Sequence, residues 1–292
     1  MANLKEVRLR ITSVNSTQQI TKAMKMVSAA KLRRAQNAIQ QLRPYANKLR
    51  DILENLSSSL EESVGGEFAK VRPVNNVLII AVSSNRGLAG AFNANIIRTV
   101  NRLLADEYKE QVKTGGVKIL CIGKKGSDFY SKNPGLYVGH HNEIYADLTF
   151  EKVSAIAEGV MKEFADAKYD RVIVVYNQFK NAAVQYVINE QLMPIQPPAK
   201  TDTKMKSDYI FEPSKEEIVL ELIPKSVKTQ LYKAILDSHA SEHGARMTSM
   251  NKATDNAGEM LKELRLTYNK ARQAAITNEI LEIVAGAEAL NG

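Results

Sequence analysis

The chain has 292 residues, of which 44% are hydrophobic and 25% are charged, and its formal net charge at pH 7 is +8. This composition is ordinary for a soluble globular protein and argues against a disordered or fibrous chain. The sequence contains no run of about 20 apolar residues that could span a bilayer, and its single cysteine, Cys121, excludes an internal disulfide. Because Met1 leads directly into charged sequence without an apolar signal segment, we expect a cytosolic chain.

The excess positive charge lies at the amino-terminal end. Residues 1–58 contain 11 Lys and Arg against 3 Asp and Glu, a surplus of 8 that equals the surplus of the whole chain. This surplus indicates an anionic partner. One candidate is nucleic acid, bound through its phosphates, although the first 44 residues contain no aromatic side chain for stacking on bases. The other candidate is a surrounding protein with acidic loops, inside which the chain would act as a rotor or scaffold.

The first predicted element is a long helix within residues 1–60. Its apolar residues alternate in steps of three and four, which is the spacing of a coiled-coil seam. Pro44 lies inside this pattern and predicts a kink or a break just before it, because proline removes a backbone donor and crowds the preceding turn. The seam residues are Leu4, Val7, Ile11 and Val14, followed after a gap by Ile39, Leu42, Ala46, Leu49, Leu53, Leu56 and Leu60.

The gap in this seam begins with a polar belt. Residues 15–21 are mostly small, polar and uncharged, which makes a poor core and predicts a neutral contact surface. From Ile20 onward, Met24 and Val27 predict that the seam continues on a shifted phase.

The central part of the chain alternates between strands and helices. Short runs rich in Val and Ile at 77–82, 117–122 and 171–176 predict buried strands, and amphipathic stretches at 91–105 and 150–167 predict helices between them. This alternation predicts a Rossmann-like, mostly parallel sheet. Less regular segments predict edge strands at 184–188 and 209–211, a mobile loop at 193–208 and a hinge at 57–66.

The last predicted element is a second long helix. Pro213 and Ser214 with Glu217 predict a capping box for a short opening helix, and Pro224 suits the first turn of a longer one that extends to about residue 289. Its apolar seam predicts antiparallel pairing with the first helix. The seam residues are Met247, Met250, Thr254, Ala257, Leu261, Leu264, Tyr268, Ala271 and Ala275, and then, one residue out of phase, Ile276, Ile280, Ile283, Ala287 and Leu290.

The predicted fold is therefore α/β, with a long antiparallel coiled coil of the terminal helices and a central α/β domain. The predicted domains are 1–60 for the first helix, 70–212 for the α/β domain and 213–292 for the last helix.

Patterns that would indicate catalysis are weak. The turn at 83–90 after the first strand contains glycines but matches neither GxGxxG nor GxxxxGK[ST], so we interpret it as a plain strand-to-helix turn. His239 and His243 have a spacing that suits one metal ion, but a third ligand is not evident and we predict a pair without metal. Cys121 lies in a predicted strand and is interpreted as a small buried residue. We therefore expect a non-enzymatic chain without cofactor or metal.

Specific motifs at both ends resemble one family. The run 20–32, ITKAMKMVSAAKL, resembles the amino-terminal signature of the gamma subunit of F-type ATP synthases. The last helix adds NKATDNA at 251–257 and YNKARQAAITNEI at 268–280, followed by EIVAGA at 282–287. The resemblance covers both ends and, at 83–93, the loop after the first strand. The motifs stand in the order expected for the family, and the lack of an amino-terminal targeting segment favours a bacterial member.

The resemblance implies a central rotor shaft that couples proton flow through the membrane c-ring to ATP synthesis, or ATP hydrolysis to reverse pumping. It implies one copy per complex, bound to the alpha and beta subunits, the epsilon subunit and the c-ring, peripheral on the cytoplasmic side of the bacterial inner membrane. It implies no nucleic-acid partner and no insertion into the membrane. The residues expected to contact the ring of alpha and beta subunits are Met24, Lys25, Arg33, Arg34, Arg246, Gln273, Thr277 and Glu279.

Overall fold

The computed structural model describes residues 4–57, 68, 70–195 and 215–291. The chain forms two compact units, the first made of residues 1–28 and 247–292 and the second of residues 29–246. Both terminal helices therefore contribute to both units. Predictions for 58–67, 196–214 and Gly292, which include the hinge after Ser57, most of the predicted mobile loop, the strand at 209–211 and the cap at Pro213 and Ser214, lie outside the described residues.

The second unit contains a five-stranded sheet in the order β3-β2-β1-β4-β5. The first four strands are parallel and β5 runs antiparallel to β4. This confirms the predicted mostly parallel sheet, while β3 was not predicted from the sequence. The strands are β1 (Val77–Val82), β2 (Val117–Ile122), β3 (Tyr137–His140), β4 (Arg171–Phe179) and β5 (Gln185–Met193).

Helices cover both faces of this sheet, which explains why every residue of β1 is buried. One face packs Val77 and Ile79 with Ile96 of α2, and the other packs Leu78 and Ile80 with α5 and the first half of the last helix. The predicted helices at 91–105 and 150–167 are thereby confirmed. The connecting helices are α2 (Phe92–Ala105), α3 (Lys109–Lys113), α4 (Lys124–Tyr130) and α5 (Phe150–Ala165), with a 3-10 turn at Glu143–Ala146.

The two terminal helices are α1 (Leu4–Ser57) and α6 (Lys215–Asn291). Pro44 lies inside α1 without breaking it, so of the two predicted alternatives the break is wrong and the kink stays a prediction. The prediction that a longer helix begins at Pro224 is also wrong, because α6 already begins at Lys215. Ile223 and Val227, on either side of Pro224, are buried in apolar clusters. This packing offsets the roughly 3 kcal/mol that an interior proline costs.

In the first unit α1 and α6 pair along a seam, and the shifted phase predicted at Ile20 is wrong. Ile20 and Val27 are 60% and 57% exposed, whereas Thr21 and Ser28 are buried. The seam therefore keeps its phase through the polar belt. Its α1 positions are Leu4, Val7, Ile11, Val14, Gln18, Thr21, Lys25 and Ser28, and the same spacing continues in the second unit with the buried Leu32, Ala35 and Ile39.

Three hydrogen bonds fill the polar part of this seam. The Thr254 hydroxyl donates to the Thr21 hydroxyl at 2.8 Å, and the Lys25 ammonium donates to the Asn251 side-chain oxygen at 2.5 Å. The Gln18 amide reaches the carbonyl of Thr254 at 3.4 Å. Since later residues of α1 contact earlier residues of α6, the pair is antiparallel, as predicted.

The predicted seam on α6 is confirmed only in part. Met250, Ala257 and Leu261 are buried, and the half-buried seam positions extend to Ala271. The out-of-phase continuation is wrong, because Ile276, Ile280 and Ile283 are 49%, 55% and 66% exposed.

Candidate functional site

The carboxyl ends of the parallel strands form the edge of the sheet where a ligand site is expected. In a doubly wound sheet, ligands bind outside these ends at the point where the strand order reverses. Here the reversal lies between β1 and β4, because the chain leaves β1 toward β2 on one side and returns to β4 on the other. The loop 83–91 follows β1 at this point.

This crevice is filled by α6. The Ser241 hydroxyl donates to the carbonyl of Asn177 on β4 at 2.9 Å. The Arg246 guanidinium donates to the carbonyls of Arg86 and Gly87 in the loop after β1, at 2.9 and 3.2 Å. Every residue of α6 from 240 to 246 is buried. The helix thus bridges the two strands that flank the reversal point.

Close backbone packing accompanies these hydrogen bonds. A Cβ on Gly244 would lie 3.2 Å from the Cα of Ala182, so a larger residue there would push α6 away from the turn after β4. Gly123, after β2, has a φ of 106°, and a Cβ there would lie 2.1 Å from the carbonyl oxygen of Ser83. These glycines therefore serve contacts between backbone segments.

Arg246 forms an ion pair with Glu242, one helical turn earlier. Their Nη1 and Oε1 atoms are 2.7 Å apart and both side chains are 8% exposed. Burial raises the pKa of the Glu242 carboxyl, and the facing guanidinium of Arg246 opposes that rise. A buried pair of this kind is costly to break, because either partner alone would be an uncompensated charge.

Two histidines of α6 lie beside this ion pair. The Nε2 atoms of His239 and His243 are 3.1 Å apart, so one imidazole donates to the other. The ring of Tyr145 stacks on His239, and its hydroxyl donates to the carbonyl of Ser83 at 2.9 Å. Burial, together with nearby cations that include Lys31 and Arg246, lowers the pKa of His239 to about 4 and that of His243 to about 3. Both rings are therefore neutral at neutral pH.

The chemistry of the crevice does not suit a nucleotide. A phosphate site presents backbone N–H groups to an anion, whereas the carbonyls of Arg86 and Gly87 point at a guanidinium that already occupies the space. This agrees with the interpretation of 83–90 as a plain turn. Across the described residues, no group of three or more His, Cys, Asp and Glu side chains gathers as metal ligands. Cys121 is buried, as predicted.

Five of the predicted ring-contact residues lie in the first unit. Met24 and Lys25 are half-buried, and Lys25 is engaged with Asn251 in the seam. Gln273, Thr277 and Glu279 are exposed on α6. The Thr277 hydroxyl donates to the carbonyl of Gln273 at 2.9 Å, which places these two residues on one face of the helix.

The other three predicted residues lie in the second unit and differ in environment. Arg33 and Arg34 are exposed on α1, so their cations face solvent. Arg246 is buried and engaged with Glu242 and the loop after β1. Its contact with a partner subunit stays a prediction.

Sequence reasoning missed two groups of residues. The first is Gln18, Thr21 and Asn251 in the polar part of the seam. An unbroken spacing of three and four from Val14 to Leu32 would have revealed the two on α1, and Thr254 was already in the predicted seam of α6. The second is the packing role of Ser241 and Glu242 beside Arg246, for which the spacing of four between Glu242 and Arg246 was the available signal.

No helix within the described residues combines the length and the apolar character needed to cross a membrane. The fold and the site define a class of protein in which an α/β sheet is combined with a long antiparallel pair of terminal helices, one of which fills the sheet's own ligand crevice. A family model described as ATP synthase matches residues 3–290. The chain is 59% identical to the ATP synthase gamma chain of Flavobacterium johnsoniae over 292 residues, which covers 100% of both chains.

Two solved structures have the same architecture. The central stalk and c-ring structure of the Tetrahymena thermophila mitochondrial ATP synthase contains a chain that is 27% identical, with a TM-score of 0.59 over 80% of this chain and 99% of that one. The rotor of the Euglena gracilis mitochondrial ATP synthase matches in fold, with 21% identity and a TM-score of 0.67 over 94% of this chain and 98% of that one. This chain belongs to the gamma-chain family of ATP synthases, and its role is that of the rotor shaft. These comparisons give no support to a nucleic-acid-binding function.

Proposed function

We propose that the chain is the non-catalytic shaft of a bacterial synthase and turns inside a ring of alpha and beta subunits. The terminal helices in 1–60 and 213–292 form the shaft, and the α/β domain in 70–212 meets the epsilon subunit and the c-ring. The chain is present once per complex and is peripheral on the cytoplasmic side of the inner membrane. Catalysis resides in the ring, and the shaft couples distant sites by moving as a rigid element.

The observation that carries this proposal is the exposed end of α6. Every residue from 272 to 288 is exposed, including three isoleucines and Leu281. Contiguous apolar surface on a soluble protein marks an interaction site, because leaving it in water is unfavourable. A ring that encloses this segment would cover all sides of the helix at once.

The charge on α1 supports a second contact. Arg33 and Arg34 are exposed on the helix that carries the whole charge surplus. Acidic loops of the beta subunits would be attracted to these cations, and exposed ion pairs are weak enough to break and form again during rotation. Met24, Lys25, Arg246, Gln273, Thr277 and Glu279 complete the proposed contact set.

Reconstitution with alpha and beta subunits tests this proposal. We expect no ATP hydrolysis by the chain alone and a large increase in hydrolysis when it joins the two other subunits. Reversing the charge of Arg33 and Arg34 to Glu should lower that increase, whereas the same change at the exposed Lys132, which lies after α4, should not. Hydrolysis by the pure chain, or no effect of the chain on the other subunits, would contradict the proposal.

A further inference from the structure

Ser241 and Arg246 fasten α6 to the sheet at the reversal point, and Glu242 holds the Arg246 side chain in place. We propose that Ser241, Glu242 and Arg246 form a latch, the α6 latch, that forces α6 and the α/β sheet to rotate as one body. This inference rests on the proposed function as a rotor shaft. The latch residues are positioning residues, because they act on the transfer of torque through the fold and touch no nucleotide.

The latch holds α6 from two directions. Ser241 binds the carbonyl of Asn177 on β4, and Arg246 binds the carbonyls of Arg86 and Gly87 after β1. Residues five apart on a helix point about 140° away from each other, since each residue turns the helix by about 100°. If all contacts lay along one side of the helix, the helix could still rotate about that line of contacts. Contacts on two sides oppose rotation about the helix axis.

Glu242 holds the Arg246 fork in the orientation that reaches the loop. The Oε1 atom of Glu242 accepts a hydrogen bond from Nη1 of Arg246. The Nε and Nη2 atoms of Arg246 are then left to donate to the two loop carbonyls. A guanidinium is planar and its donors have a fixed geometry, so fixing one corner fixes the others. Because the pair is buried, water cannot replace either partner when load is applied.

A second ion pair on the same helix has the same spacing but is exposed to solvent. Lys225 and Glu221 are also four residues apart, yet their side chains are 49% and 71% exposed. Exposed pairs of this kind contribute little. The pair of Glu221 and Lys225 is therefore a matched control.

The test uses the complete synthase reconstituted into lipid vesicles, with Glu242→Gln, Ser241→Ala and Arg246→Gln as variants and Glu221→Gln as the control. Proton pumping per ATP hydrolysed reports the coupling, and hydrogen exchange reports local opening. We expect Glu242→Gln to lower pumping per ATP at least about twofold and to speed amide exchange at 241–246 and 84–91 about 100-fold. Ser241→Ala, which keeps the ion pair, should shift both measurements in the same direction by less, and the control should shift neither.

The outcomes separate the explanations. Faster exchange with unchanged pumping per ATP would overturn the latch, because the pair would then only stabilise the fold. Loss of coupling in Arg246→Gln alone, with Glu242→Gln and Ser241→Ala unaffected, would also overturn it and would assign Arg246 to a contact with the ring. If Glu242→Gln does not assemble, Ser241→Ala decides the question. Failure of the proposed function would look different, since even the unmodified chain would then not couple hydrolysis to pumping.

Discussion

The hydroxyl of Thr254 on α6 donates a hydrogen bond of 2.8 Å to the hydroxyl of Thr21 on α1, in a seam position where a coiled coil ordinarily places an apolar side chain. Lys25 and Asn251 repeat this arrangement nearby. Polar seam residues bury little apolar area but specify which residues face each other, because a shift of the register would break the hydrogen bonds between the two helices. In a shaft under load, such pairs would resist sliding of one helix along the other.

Replacing Thr21 or Thr254 alone by Val should lower the free energy of unfolding by about 1 kcal/mol, because the remaining hydroxyl loses its partner across the seam. The double variant should lose less than the sum, with a coupling of about 0.5 kcal/mol between the two sites. Urea denaturation followed by circular dichroism measures all three variants. Thr267→Val is the control, since its exposed hydroxyl donates only to the carbonyl of Glu263 in the same helix. Strict additivity would show that the two hydroxyls do not stabilise each other.

Because burial keeps the rings of His239 and His243 neutral in the folded chain, we expect the free energy of unfolding to fall in acid. The pKa values of His239 and His243 are about 4 and about 3 in the folded chain, below the ordinary value of 6.5. The unfolded chain therefore binds more protons below pH 6.5, and stability falls as the pH drops from there toward 4. Each histidine contributes about 1.4 kcal/mol per pH unit in this window. Denaturation at pH 7 and pH 5 should show a smaller fall for His243→Gln than for the unmodified chain. An unchanged fall in His243→Gln, or an equal effect of His140→Gln at an exposed site, would contradict this account.

Asp237 is expected to change the pH dependence of stability in the opposite direction, so that its contribution becomes less favourable as the pH rises. This carboxyl is buried on α6, and burial raises its pKa to about 6, with the cations of Lys233 and Arg43 opposing the rise. Folding therefore disfavours the carboxylate, and the resulting cost grows as the pH rises from about 4 to about 6 and is constant above. Asp237→Asn should raise the free energy of unfolding by as much as about 2 kcal/mol at pH 8 and by less at pH 5. Thermal denaturation at both pH values checks this, with Asp128→Asn at an exposed site as the control. A destabilised variant at pH 8 would show that the cations need the carboxylate.

Much of the α/β fold could be predicted from the sequence, because its buried strands contain short runs rich in Val and Ile. The strands at Val77–Val82 and Val117–Ile122 have the predicted bounds. The polar seam could not be found by following apolar residues, since the hydroxyl that donates to Thr21 lies 233 positions away and no local pattern displays it. The prediction that a helix begins at Pro224 was wrong because of contacts distant in sequence. Burial of the neighbouring residues Ile223 and Val227 in apolar clusters stabilises the helix enough to offset the cost of the proline. The role of Arg246 within the chain depends on the carbonyls of Arg86 and Gly87, which only the folded loop brings near.

The exposed end of α6 predicts that its removal affects function more than stability. Truncation after Ala275 removes residues that are exposed wherever their side chains are described. The free energy of unfolding of the α/β sheet, measured from its thermal transition, should change by no more than about 0.5 kcal/mol. Coupling or assembly with the alpha and beta subunits should weaken. Replacing Ile276, Ile280 and Ile283 together by Gln keeps the length of the helix and should reproduce the weakening if apolar contact is responsible. A lost thermal transition in the truncated chain would mean that this segment stabilises the fold.

Single-molecule observation would show whether this chain rotates inside a ring of alpha and beta subunits. The ring would be fixed to a surface, and a probe would be attached to the α/β sheet region through a cysteine introduced at the exposed Lys132, with Cys121 replaced by Ser. We expect unidirectional rotation of the probe that requires ATP and stops when ATP is removed. ATP hydrolysis by the same complexes with a stationary probe would contradict it.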